Sequence, residues 1–242
     1  MTDESSCGRA EIANLVETVR RLTEEVRYLR DRTEIRDVSM RLARGDDRLD
    51  RDILFTAYAD DAIDDHLGFC GSREEFFEWI SDSHPRGMVT SLHHTTNQTC
   101  EIDGDRATTE TYWLFTGPNK DGTNSISFGR YLDRLERRAE GWRIVFRYAT
   151  IDGVSVLEGQ EIPFQWAPDR FANGVPSQTR EDPSYRRPFV NQRERFVPPD
   201  GGDYLSVRDL AAYRRGPHPE PRRERREAGE RSPTGPEAGV QR

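Results

Sequence analysis

Most function classes need features that this chain has little of. Its three cysteines among 242 residues, Cys7, Cys70 and Cys100, lie far apart with no CxxC pair. Neither a disulfide framework nor a zinc site is therefore expected. No apolar run approaches the ~18 residues that span a bilayer. The N-terminus is acidic and polar rather than basic then apolar, so secretion and membrane insertion are not expected and the thiols read as reduced in a cytoplasmic protein. A glycine-rich phosphate loop and internal repeats are also lacking. The net charge of -8 argues against a nucleic-acid partner, because neutralising phosphates needs a basic surface. Hydrophobic residues make up only 33% of the chain, the same share as charged ones. That is lean for a core of this length, and it predicts one ordered domain with extensions.

What is present falls into four segments. In residues 1–32, Ile12, Val19 and Val26 are spaced by seven, as are Leu15, Leu22 and Leu29 three residues later. They fill positions a and d of three heptads, and β-branched residues at a with Leu at d favour a two-stranded coiled coil. An amphipathic helix packed on its own domain is the alternative. Residues 33–153 hold the periodic apolar segments. Residues 154–213 are rich in Pro and Arg with scattered aromatics, Trp166, Phe171, Tyr185 and Phe189, which suit a segment wrapping the domain or a neighbouring subunit. Residues 214–242 carry eight arginines against five glutamates among Pro and Gly and read as a disordered tail.

Within 33–153 a helix is expected from about Glu34 to Leu42, interrupted at Gly45-Asp46-Asp47, with Asp50 capping a further helix. A short strand is expected over Ala62–His66, with Gly68 and Gly71 marking the turn after it. Ser72 and Glu75 stand in the spacing of a capping box before Phe76, Phe77, Trp79 and Ile80. Strands follow near 92–102, 107–116, 129–137 and 142–151. This order predicts an α+β domain, a curved antiparallel meander with helices on one side. On the first of these longer strands, alternation puts His93, Thr95 and Asn97 on one face and His94, Thr96 and Gln98 on the other.

The run from Arg41 to Asp152 resembles the SnoaL-like branch of the nuclear transport factor two-like superfamily, which includes scytalone dehydratase, bile-acid 7α-dehydratase and lindane dehydrochlorinase. The resemblance is carried by Gly45-Asp46-Asp47-Arg48-Leu49-Asp50, Tyr58-Ala59-Asp60-Asp61-Ala62, Asp65-His66, His93-His94-Thr95-Thr96-Asn97, Asp103-Gly104-Asp105-Arg106-Ala107, Gly129-Arg130-Tyr131-Leu132-Asp133-Arg134 and Gly141-Trp142-Arg143-Ile144. Glu181-Asp182-Pro183-Ser184-Tyr185 resembles the end of many such chains. The resemblance implies a cone-shaped curved sheet wrapped by N-terminal helices and enclosing a pocket. It also implies an Asp-His pair that works without a cofactor, and a trimer where the heptads favour a dimer. By motif the aspartate falls on Asp47, the histidine on His93 and a last-strand arginine on Arg147. His66 stands where scytalone dehydratase places a tyrosine. Leu42 and Asp46 replace tyrosines of relatives, and no histidine follows His94 on the later strands.

These residues suggest proton transfer. If Asp47 accepts a hydrogen bond from one nitrogen of His93, the other nitrogen can take a proton α or vinylogous to a carbonyl. His66 would polarise a substrate oxygen, Asn97 would donate to an oxyanion, and Tyr112 and Tyr131 would donate phenolic hydrogen bonds. Arg147 would pair with Asp47, Asp133 or a substrate carboxylate. The adjacent imidazoles of His93 and His94 lie on opposite strand faces and cannot chelate together, so no metal is expected. The leading expectation is a cofactor-independent lyase or isomerase acting on a small, largely apolar oxygenated ring compound. A non-catalytic ligand-binding or assembly module is the first alternative. An epoxide hydrolase or cyclase with an Asp-Arg-Asp set from Asp47, Arg147 and Asp133 is the second.

Overall fold

A computed structural model of the chain describes residues 4–66, 68–159 and 171–192. Trp166 and the tail 214–242 lie outside the described residues. Helix α1 runs unbroken over Glu4–Asp47. Ion pairs Arg20–Glu24 and Arg21–Glu25, four residues apart, brace its first half. Its last third buries Ile35, Val38 and Leu42, at spacings of three and four, against the sheet. Burial of this kind contributes roughly 1.5–3 kcal/mol per side chain.

The expected interruption at Gly45-Asp46-Asp47 does not occur, because Gly45 serves a close approach rather than a break. A Cβ at Gly45 would lie 2.6 Å from the backbone nitrogen of Leu54. The bare backbone there lets α2, Arg51–Phe55, fold back against α1. The turn between them is closed by Asp50 N–H donating to the Gly45 carbonyl at 2.8 Å, by Leu49 in the left-handed region with φ 46°, and by Asp50 capping Ile53.

Strand β1, Tyr58–His66, begins four residues before the expected start, and Phe69–Ser72 forms a short strand β2 where a turn was expected. Helix α3, Arg73–Gly87, opens with the capping box between Ser72 and Glu75. The meander follows as β3 Leu92–Asp103, β4 Arg106–Pro118, β5 Thr123–Arg138 and β6 Gly141–Glu158. Strand β6 therefore continues past the expected end of the domain at residue 153. The spatial order is β2-β1-β6-β5-β4-β3, antiparallel throughout except for the parallel pair β1 and β6. Bulges between Phe128 and Gly129 and between Arg134 and Leu135 bend the two longest strands, and the sheet curls around its inner face. The result is an α+β cone of six strands with helices packed against it.

Two apolar clusters fill the inner side. One joins α1, α2 and α3 to the sheet through Val38, Leu54, Phe76, Ile80, Leu135 and Trp142. The other, Trp113, Phe115, Tyr131 and Ala149, lies along β4 to β6. Part of the extension after β6 folds onto the corner between α1 and α2. There Tyr185 Oη donates to Asp50 at 2.6 Å, Arg180 reaches Asp50 and Asp52, and Gln178 Nε2 donates to Ser91. Phe171 and Phe189 stay exposed. The heptad positions Ile12, Leu15, Val19, Leu22, Val26 and Leu29 are 45–64% exposed, so the seam is not covered by the rest of the described chain.

Candidate active site

Helix α1 ends in two successive carboxylates, and β3 begins beside them. Both oxygens of Asp47 accept from the backbone N–H of His93 at 3.0 Å, and Oδ1 meets the ring Nδ1 at 2.7 Å. The carboxylate thus fixes the start of the strand and the orientation of the ring together. A carboxylate at that distance places the proton on Nδ1 and leaves Nε2 as the reactive nitrogen. The His93 side chain is 7% exposed and packs edge-on against Phe115, with centroids 4.9 Å apart. Burial works to lower its pKa, but Asp46 and Asp47 outweigh burial and hold the pKa above the ordinary histidine value. His94 points outward, as alternation requires.

The other buried polar groups gather around the inner face. Arg147 donates from Nε and Nη2 to the two oxygens of Asp133, both at 2.7 Å, and stands 3.9 Å above the Tyr131 ring. Tyr131 is buried and stacks on Trp113, with centroids 5.5 Å apart. Burial drives its pKa up strongly, with Asp46, Asp64 and Asp133 adding to the push and Arg147 opposing it, so the phenol remains a donor. His66, at the end of β1, lies against Phe76, Trp79 and Tyr131 with its Nδ1 3.5 Å from Asp64. Tyr58 donates a short hydrogen bond to the other oxygen of Asp64.

Of the residues read as site candidates, Asp47 and His93 meet directly, and His66, Tyr131 and Arg147 line the same interior. Two do not join them. Asn97 is exposed because a bulge between Thr95 and Gln98 resets the alternation of β3, and Gln98 turns inward to Ser39 and Thr111 instead. Tyr112 is 45% exposed, since its neighbours Thr111 and Trp113 take the inner face of β4. Of the Asp-Arg-Asp set, Arg147 and Asp133 pair directly, while Asp47 is bonded to His93.

Sequence reasoning missed His84 and the contribution of Asp46. His84 follows Phe76 and Ile80 at intervals of four on the buried face of α3, and that periodicity was the available signal. A cavity of about 230 Å³ opens beside the Asp47–His93 pair, walled by Arg44, Arg48 and Thr95. Among the described residues no group of three or more His, Cys, Asp or Glu converges as a metal-binding set. No helix among them is long and apolar enough to cross a membrane.

Residues 27–148 match the sequence profile of the SnoaL-like domain. The chain belongs to the SnoaL-like domain family. No curated protein sequence matches it. Among solved structures, a type 2 hexachlorocyclohexane dehydrochlorinase is 19% identical over 57% of this chain and 97% of its own, with a TM-score of 0.53. The type 3 enzyme from Novosphingobium barchaimii LL02 gives the same identity and TM-score, over 57% and 98%. A scytalone dehydratase-like protein from Novosphingobium aromaticivorans DSM 12444 is 13% identical over 57% and 97%, with a TM-score of 0.48. Similarity to the two dehydrochlorinases at this level shows that this member of the family has their cone fold.

Proposed function

We propose that this SnoaL-like protein is a cofactor-independent lyase or isomerase of the dehydratase type, acting on a small, largely apolar oxygenated ring compound. The observation that supports it is the 2.7 Å contact between Asp47 and His93 Nδ1, with both side chains largely buried. In this reading neutral His93 takes a proton at Nε2 from a carbon α or vinylogous to a carbonyl, and Asp47 stabilises the imidazolium that forms. The C–H electron pair becomes the new double bond. The ring then gives its proton to the departing hydroxyl, which leaves as water, or returns it to another carbon, which isomerises the substrate. General-base help of this kind is worth roughly a hundred- to ten-thousand-fold in rate. The cavity beside the pair, walled in part by Met40 and Ala43, offers apolar surface to a ring substrate, and Phe115 packs edge-on against the His93 ring. Dehydrochlorination, the activity in the names of the solved relatives, is likewise an elimination.

The test is incubation with cyclic β-hydroxy ketones of polyketide, steroid and aromatic type, with mass spectrometry for loss of water and for deuterium uptake from D2O. Both signals are expected from the native chain. Asp47→Asn and His93→Gln should remove them while the thermal melt stays close to native, because the amide oxygen introduced by Asp47→Asn still offers an acceptor to the strand N–H. Unchanged turnover in both variants would refute the assignment. The exposed heptad seam supports a second proposal, that α1 pairs with another copy of this chain as a homo-oligomer.

A further inference from the structure

The proton-transfer reading gives a protein partner to only one nitrogen of His93, Nδ1. On the other side Asp46, the neighbour of Asp47 on α1, brings Oδ2 to 3.7 Å from His93 Nε2 and Oδ1 to 3.4 Å from His84 Nδ1. The two imidazoles face each other with centroids 6.5 Å apart and planes 27° from parallel. Side-chain exposure is 8% for Asp46 and 14% for His84. Asp46 Oδ1 and His84 Nδ1 are both buried without a hydrogen-bond partner. Neither gap is a good hydrogen bond, so a small torsional change closes the carboxylate on one ring or the other.

We propose that Asp46 and His84 are positioning residues for His93, a single carboxylate shared by two imidazoles that holds the transferred proton on His93. The inference rests on the reading of Asp47 and His93 as the proton-transfer pair. A proton arriving at Nε2 meets Asp46, so the imidazolium is countered at both nitrogens, by Asp47 at one and Asp46 at the other. His84 leaves that interaction undisturbed only while it is neutral.

The groups that face His93 are Asp46 and Asp47 from α1, His84 from α3 and Arg147 from β6. Those that face His84 are Asp46 and Asp47 from α1, His93 from β3 and His66 from β1. Burial lowers the pKa of His84, and the positive charge on His93 lowers it further against the pull of Asp46. The first proton therefore goes to His93 and the second, at lower pH, to His84, drawing Asp46 away. This is a coupled titration in which each midpoint depends on the other ring.

The experiment is a pH titration of the imidazole carbon and nitrogen signals by NMR on the full chain. Its five histidines are assigned by single substitution. In the native protein the His93 midpoint is expected above that of His84. Asp46→Asn should move the His93 midpoint down, Asp46→Glu should keep it raised, and His93→Gln should move the His84 midpoint up. A merely structural role would leave these midpoints in place. A His93 midpoint that stays put in Asp46→Asn, or a His84 midpoint that stays put in His93→Gln, overturns the proposal. If Asp46→Asn fails to fold, the native chain and His93→Gln still decide it. No substrate is needed: coupled midpoints without turnover on any ring compound would overturn the lyase reading alone, and turnover with uncoupled midpoints would overturn this one alone.

Discussion

The Arg147–Asp133 pair offers the sharpest quantitative test of how the interior is held. Asp133 is 1% and Arg147 5% exposed at the side chain, and the two parallel hydrogen bonds at 2.7 Å use both carboxylate oxygens. Burial opposes the charge on Arg147, but Asp133 prevails and raises its pKa far above the ordinary arginine value, so the guanidinium stays charged at any pH the fold survives. Asp133→Asn would leave that cation buried beside the Tyr131 ring with half its acceptors and without the carboxylate that pairs with it. Breaking a buried pair from one side costs about 3–5 kcal/mol. For a domain of this size each kcal/mol lowers Tm by roughly 2–4 °C, so the expected fall is about 6–20 °C. Asp133→Leu combined with Arg147→Met removes both charges at similar volume and is expected to lie near the native stability or above it. Thermal and urea unfolding of the native chain, Asp133→Asn and the double variant would measure this. A single variant within about 1 kcal/mol of native, or a double variant as unstable as the single, would refute the view of Arg147 as a structural pillar and return it to the role of substrate anchor.

Two further outcomes follow from other parts of the structure. Gly45→Ala gains roughly 1 kcal/mol of helix propensity, but its methyl group would lie 2.6–2.8 Å from the backbone and Cβ of Leu54. Overpacking typically costs about 1–3 kcal/mol, so a net loss of stability and a shifted His93 NMR signal are expected, and equal or greater stability would contradict the close-approach role. Leu22→Asp places a charge in the middle of the exposed seam, and under the proposed pairing of copies it is expected to lower the mass seen by light scattering with little change in the melt of the cone. An unchanged mass would show that the seam is not the contact between copies.

What could be read from the sequence depended on how local the cause was. The helix that carries the heptad positions and the capping box of α3 are set by residues within a few positions of each other, and both were legible. The meeting of Asp47 with His93 joins residues 46 apart and became legible only through motif resemblance, because strand alternation says which face a ring takes and not what faces it. Asn97 was misplaced because the bulge in β3 involves Thr96 and Asn97, with no Gly or Pro to announce it. Gly45 was read as a helix breaker because its purpose, contact with Leu54, appears only once α2 folds back.

The last turn of α1 shows why such sites break local rules. Carboxylates at a helix C-terminus face the negative end of the helix dipole, and burial makes the placement costlier. Asp46 and Asp47 are nevertheless only 6% and 8% exposed there. Arg44 in the same turn and Arg48, which donates to the Asp47 carbonyl and approaches Asp182 at 3.4 Å, offset part of this cost. The remaining partners are imidazoles: His93 satisfies Asp47, and His93 and His84 flank Asp46. Successive helical residues point about 100° apart, so adjacent carboxylates on one turn can address the two nitrogens of a single ring from different sides. A helix end that folding energetics alone would leave neutral is therefore suited to hold a proton.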